Sequence, residues 1–426
     1  MSTETTPPLT QAAESAVPPR GGLTGFALRC TTLTLLLGAV SGACCAAFAR
    51  CLELATSLRF DHPTLVFCAP VIGLLSVALY RHKNDGCVKG NALIIERIKQ
   101  QNGEVPLRIG PLVFLSGTAA HLCGASVGRE GAAIQIAAGL AAVLQRIFRL
   151  PPPYQLPLLQ ASVAAGFGAI FGTPFAAAVF ALEAPDPTRW RPRQLPLCLL
   201  AGFAGEATAR ICGSHHTAYL ILQPHWAQMA QPLPLAGLLC TGVCCGACAL
   251  LYLRTVDTLR TRLERAGLWW LPPLAVGTAL AALAQMEVTS DYLGLGVWSD
   301  RPGAVTLSTA FTKEGAHLWS WLGKLVLTAF CISGGFKGGE VTPLFFIGAT
   351  LGNSIASSLG LDPSTFAALG FATVFSAASH TPVTGMLLGA ELFGIEALPL
   401  FAVVNLTANR ACRGHTLFPS QPKSSP

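Results

Sequence analysis

The sequence predicts an all-α polytopic membrane protein built from two related halves. Three observations carry that prediction: a shortage of charge, its absence from long apolar runs, and an internal repeat. Of 426 residues, 52% are apolar and 12% are charged, with 28 Lys+Arg against 21 Asp+Glu. A soluble domain carries roughly 25% charged residues, so the composition excludes an ordinary soluble enzyme, a disordered chain and a collagen.

The charge distribution adds to the average. Residues 30–49, 62–80, 109–128, 150–182, 211–253, 266–286, 341–361 and 363–390 contain no Asp, Glu, Lys or Arg. A bilayer core needs about 20 apolar residues per helix, so ten or more membrane helices are expected, with more than one pass in each of the two longest runs. The first residues are polar, include Glu4 and Glu14 and lack the basic start and apolar run of a signal peptide. They read as a disordered cytoplasmic tail over 1–22, and 419–426 as a polar C-terminal tail.

The basic clusters Arg81–Arg108, Arg189–Arg193, Arg254–Arg265 and Arg410–Arg413 lie between apolar blocks. They read as cytoplasmic loops beside anionic headgroups, with both termini cytoplasmic, and no nucleic-acid partner is implied. Most of the fifteen cysteines, among them Cys44, Cys45, Cys244, Cys245 and Cys248, sit in apolar stretches. They read as small packing residues; no metal site and no cofactor are expected.

The repeat is read from three blocks in one order. Gly166 to Phe171 aligns with Gly370 to Phe375 at an offset of 204, and Thr173-Pro174 and Glu183 align with Thr381-Pro382 and Glu391 at 208 after a four-residue insertion. Upstream, Gly128-Arg129-Glu130 aligns with Gly338-Gly339-Glu340 at 210. Duplicated halves are typical of transporters, with the substrate held between the repeats.

Within these blocks, Gly124 to Gly131 and Gly334 to Pro343 place charged residues among glycines directly before apolar runs. Both read as helix starts. Helix-start amides lack intrahelical partners and the dipole end is positive, so two such starts can hold an anion. Pro343 suits a first turn. Glu130 is the informative side chain, because a carboxylate inside a membrane faces a cavity, a partner or a pathway. Ionised, it can fill the anion position; protonated, it can leave. The alternative is a structural salt bridge with Arg129.

These residues resemble the CLC anion channels and proton-coupled antiporters over roughly residues 25–420. The resemblance implies an inverted-repeat fold with broken and re-entrant helices over 23–418, the first repeat at about 23–212 and the second at about 233–418. It also implies a homodimer with one pore per subunit. Glu130 matches the family's gating glutamate. Gly128, Arg129, Gly131, Glu340, Val341 and Thr342 fall in its two anion-binding segments.

Three departures narrow the reading. Asn91, in Lys89 to Ile94, stands where a serine is usual; Phe418, after Gly414-His415-Thr416-Leu417, stands for a tyrosine; and Ala184 replaces the inner proton-transfer glutamate. The combination resembles the bacterial fluoride/proton antiporter branch. It implies a transporter, not an enzyme, in the bacterial inner membrane, exchanging fluoride for protons. Glu130 would carry the proton. Asn91, the helix starts and the ring edge of Phe418 would hold the anion. Glu340 and Lys337 are candidates for proton or fluoride handling, though Glu340 also reads as a structural helix-start carboxylate. Glu183 and Glu391 read as structural. A chloride/proton antiporter or chloride channel on the same fold is the rival. No His-Glu-x-x-His or Gly-x-Ser-x-Gly motif supports an enzyme.

Overall fold

The computed structural model describes residues 22–421, apart from 84, 189, 215–218, 221, 225 and 266. The expected N-terminal tail and Arg189 therefore lie almost wholly outside the described residues. The first half comprises α1 (Gly22–Asp61), α2 (Ala69–Arg81), α3 (Asn91–Lys99), α4 (Ile109–Leu122), α5 (Glu130–Ile147), α6 (Pro152–Phe171), α7 (Pro174–Glu183) and α8 (Leu195–Ile211). After a single turn, α9 (Trp226–Met229), the second half follows with α10 (Pro232–Arg265), α11 (Leu271–Leu283), α12 (Glu287–Ser290) and α13 (Ser320–Ser333). It ends with α14 (Val341–Leu359), α15 (Pro363–Ser379), α16 (Pro382–Phe393) and α17 (Leu398–Ala411). No strand occurs among the described residues, so the fold is all-α.

Few of the described helices are long and apolar enough to cross a bilayer alone. Only Thr24–Asp61, Pro63–Arg81 and Pro232–Arg265 are long and apolar enough among the described residues. α7 has 10 residues and α16 has 12, about 15–18 Å at 1.5 Å per residue, roughly half a hydrocarbon core. The uncharged run 150–182 thus holds two segments broken at Gly172, whose φ is 71°. The run 363–390 is broken likewise at His380, φ 53°. Arg254–Arg265 is helical, because α10 continues beyond its apolar part.

The halves match element by element, and their packing matches too: α1 packs on α8 as α10 packs on α17, and α5 on α6 as α14 on α15. Helix ends correct two of the alignments read from the sequence. α6 and α15 both end with a left-handed residue just before Thr-Pro, so one offset of 208 runs through and Phe167 corresponds to Phe375, with no insertion. The helix-start block runs at 211 instead of 210, since Arg129 and Glu340 stand just before α5 and α14.

α7 and α16 meet through an exchange of carboxylates. Glu183, at the end of α7, accepts from the Val383 and Thr384 amides of α16 at 3.0 and 2.8 Å and from the Thr384 hydroxyl at 2.7 Å. Glu391, in α16, accepts from the Phe175 and Ala176 amides of α7 at 3.1 and 2.7 Å. Each acid caps the other's helix start, where unsatisfied amides and the dipole favour a negative charge. This agrees with the structural reading of both residues.

Of the expected C-terminal tail, the described part is docked. Gln421 is buried, and its amide donates to the carbonyls of Ala184 and Ser379 at 2.7 and 2.9 Å.

Glu183 is buried and takes three bonds, whereas Glu391 is half-buried and takes two. Glu183→Ala is therefore expected to cost about 3 kcal/mol and Glu391→Ala less, since orphaned buried donors carry the penalty. Thermal unfolding of purified protein in detergent measures both; an equal or reversed order contradicts the assignment.

Candidate anion and proton site at the repeat interface

The chain breaks before α5 and before α14 meet at the centre. The Gly128 amide donates to the Gly339 carbonyl at 2.5 Å and the Gly339 amide to Gly128 at 2.6 Å, a single antiparallel bridge. Only glycine allows this approach: a Cβ on Gly339 would lie 2.6 Å from the Gly131 nitrogen, and one on Gly128 would lie 2.9 Å from Pro343 Cδ.

This bridge sets the register between the repeats at 211, one more than the sequence blocks suggest. Arg129 stands at the N-cap position of α5 and Glu340 at that of α14, so Glu340 corresponds to Arg129 and Val341 to Glu130. One residue on a helix start turns a side chain by about 100°, which is why Glu130 and Glu340 point differently.

Glu130 is 1% exposed, and its carboxylate reaches the start of the opposite repeat. It accepts from the Thr342 amide at 3.0 Å, from the Thr342 hydroxyl and from the Arg129 amide at 3.2 Å. Arg129 Nε stands 3.5 Å from its other oxygen. The expected pair with Arg129 thus exists, but the closer partners belong to the start of α14, where unpaired amides and the dipole favour a negative charge.

Asn91 opens α3 after Gly90, whose φ of 55° turns the chain inward. Its amide group packs so close to Gly131 that a Cβ there would overlap it, and its Oδ1 is buried without a hydrogen-bond partner. Gln135, one turn along α5, donates to the Gly131 carbonyl at 3.2 Å and backs Gly90. Gly128, Arg129, Gly131, Glu130, Thr342 and Asn91 are therefore brought together, with Val341 buried behind them as the first residue of α14.

Three expected residues stand apart from that group. The Glu340 carboxylate lies in the field of Arg260, Asp257 and Lys337, towards α10. Lys337 donates to the Val88 carbonyl at 3.3 Å and sits 4.8 Å from the centre of the Tyr80 ring; no ion pair joins it to Glu340 among the described residues. Phe418 is buried edge-on to Phe180 at 6.2 Å.

Phe418 belongs to an aromatic column that sequence reasoning did not single out. From Phe180 the rings continue to Phe167 and Phe375, then to Phe345 and Phe171, with centroids 5.1–6.3 Å apart. The signal was present, since Phe167 and Phe171, like Phe371 and Phe375, are four apart in the repeat blocks. Phe171 and Phe345 line a cavity of about 20 Å³ with Glu130, Thr342, Arg129 and Tyr219, enough for one water-sized particle.

The arrangement makes carboxylate and free anion competitors for one set of donors. Protonation removes the negative charge that holds Glu130 there and frees the Thr342 amide and hydroxyl. No group of three His, Cys, Asp or Glu suited to a metal occurs among the described residues.

Residues 72–413 match the Voltage gated chloride channel family. The chain is 36% identical over 389 residues to a chloride/fluoride channel protein of Pseudomonas syringae pv. tomato (strain ATCC BAA-871 / DC3000), covering 89% of this chain and 83% of that one. It is 24% identical over 323 residues to the H(+)/Cl(-) exchange transporter ClcA of Yersinia pestis bv. Antiqua (strain Angola), covering 73% and 65%. Among solved structures it resembles a CLC-type fluoride/proton antiporter, with a TM-score of 0.85 and 31% identity over 93% of this chain and 98% of the other. A slow cyanobacterial Cl-/H+ antiporter superposes with a TM-score of 0.72 at 17% identity, covering 90% and 94%. The chain belongs to the CLC family and is a multi-pass membrane transporter of that family.

Proposed function

We propose that this protein is a proton-coupled fluoride antiporter that exports fluoride across the bacterial inner membrane, working as a homodimer with both termini in the cytoplasm. Its transport body is about 23–418, with repeats at about 23–212 and 233–418. The observation that carries the reading is the Glu130 carboxylate on the amide and hydroxyl of Thr342. A proton binding there and an anion taking its place are one exchange.

The fluoride assignment draws on Asn91 and on the likeness to a fluoride/proton antiporter. Fluoride is small and a strong acceptor, so shedding its water calls for close N–H or O–H donors. The Asn91 amide beside Gly131, the start of α14 and Thr342 offer them, and an amide has two N–H donors where a serine has one hydroxyl. The ring column supplies positive edges from Phe171 down to Phe418. Ala184 takes away the usual inner proton group, so Glu340, near Arg260 and Lys337, is the candidate on that side. The Pseudomonas syringae relative is described as a channel, so uncoupled anion flow is the second reading.

Efflux from liposomes containing purified protein, with fluoride, chloride and proton movements recorded, decides between them. The wild type is expected to release fluoride faster than chloride with opposing proton uptake, and Glu130→Gln to abolish that uptake. Chloride moving as fast as fluoride overturns the fluoride assignment; fluoride flux without proton uptake leaves a channel.

Asn91→Ser exchanges two amide donors for one hydroxyl. It is expected to lower the fluoride-to-chloride rate ratio about tenfold, the effect of roughly one charge-assisted hydrogen bond. An unchanged ratio in the same assay removes Asn91 from the anion's coordination.

A further inference from the structure

A second cavity, of about 150 Å³, lies beside the Glu130 pocket at the end of α1. The two share Arg129 and Val297 as walls. Nothing in the exchange of proton and anion at Glu130 requires this chamber, and it adds a second guanidinium to the one the two cavities share.

Two guanidinium groups, Arg59 and Arg129, line it. Of its two carboxylates, Asp291 is already paired, accepting from Arg301 and from the Val305 amide at 3.1 Å. Glu53 is exposed. Arg59 lies 4.4 Å from the Phe60 ring centre, and its Nε, like that of Arg129, is buried with no hydrogen-bond partner. The Arg59 Nε has no acceptor and the Arg129 Nε has only the Glu130 oxygen at 3.5 Å; under-satisfied buried donors are costly, and two in one chamber can share an acceptor placed between them. A volume of 150 Å³ takes a small ion with part of its hydration, each water needing about 30 Å³.

We propose that this chamber is an anion antechamber, in which Arg59 and Arg129 hold a small monovalent anion on the face where α1 ends. Arg129 links the two sites: its Nε is 3.5 Å from Glu130, so an anion in the chamber competes with the Glu130 carboxylate for the same guanidinium. The proposal takes its purpose from the anion-transport reading, but binding in the chamber is independent of which anion is preferred and of proton coupling.

Trp298 lines the chamber and stacks edge-on to Phe60 at 4.9 Å, which provides a reporter. Iodide is titrated into detergent-purified protein at constant ionic strength while tryptophan fluorescence is read. One of seven tryptophans should show quenching that saturates, and Trp298→Phe should lose that component. Arg59→Gln should need about tenfold more iodide, the loss of about one charge-assisted contact. Anomalous diffraction from iodide-soaked wild-type crystals is the second measurement, with a peak expected between Arg59 and Arg129. Strictly linear quenching, saturation unchanged in Arg59→Gln, or an empty chamber at saturating iodide overturns the proposal. Loss of proton-coupled fluoride flux with iodide saturation intact overturns the transport reading instead.

Discussion

An anion inside a hydrocarbon layer has to be solvated by the protein itself, and the rest of the structure depends on how that is done here. On the proposed reading the donors are helix-start amides and one hydroxyl, the groups that hold the Glu130 carboxylate in the structure, so helices must begin at the middle of the molecule. In lipid no backbone group can be left unpaired, and a chain break at that depth is tolerated only where protein or a cavity surrounds it. The mutual hydrogen bonds of Gly128 and Gly339 let each break satisfy the other. Half-length helices such as α7 and α16 follow from the same demand, and their starts are satisfied by carboxylates of the opposite repeat.

Close packing without a hydrophobic driving force requires small residues. A Cβ on Gly166 would lie 2.6 Å from the Ala133 carbonyl oxygen, and one on Gly205 would lie 2.7 Å from that of Ala165. α5, α6 and α8 thereby touch backbone to backbone. The cost falls on side-chain contacts, which stacked phenylalanines restore: Phe345, in the ring column, also stacks on Phe371 beside it with centroids 4.0 Å apart and 20° between planes. Small residues near the breaks and rings between them close-pack the frame around Glu130.

Much of this was legible in the sequence, and the failures have physical causes. Charge-free runs gave the membrane class, and Gly-rich segments before apolar runs located the starts of α5 and α14. Glu130 was identified because ionised groups are rare at such positions. The register between repeats was not legible, because the better local match, at 210, pairs Gly124, Gly128 and Glu130 with Gly334, Gly338 and Glu340, and likeness of residue type is not likeness of position. The Gly128–Gly339 bridge and the helix N-cap positions set the register instead, and both are tertiary. The partners of Glu183 lie 200 and 201 positions away, beyond any local pattern. Arg59 stands in a helix of 40 residues and carries no motif; only the fold sets it beside Arg129.

The corrected register bears on how a proton can approach Glu130. Were Glu340 the mirror of Glu130, both carboxylates would face one space across the repeat axis. The structure instead makes Glu340 the mirror of Arg129, turned to Arg260, Asp257 and Lys337, so a proton held there is separated from Glu130 by the start of α14. At the other inner position, Ala184 has no titratable side chain and its carbonyl is taken by Gln421. In the antiporter reading, the proton must then pass the Thr342 end of α14, where the anion also binds. Proton and anion would share that passage, and shared occupancy of one passage couples their movements, with Glu340 delivering the proton to its inner end.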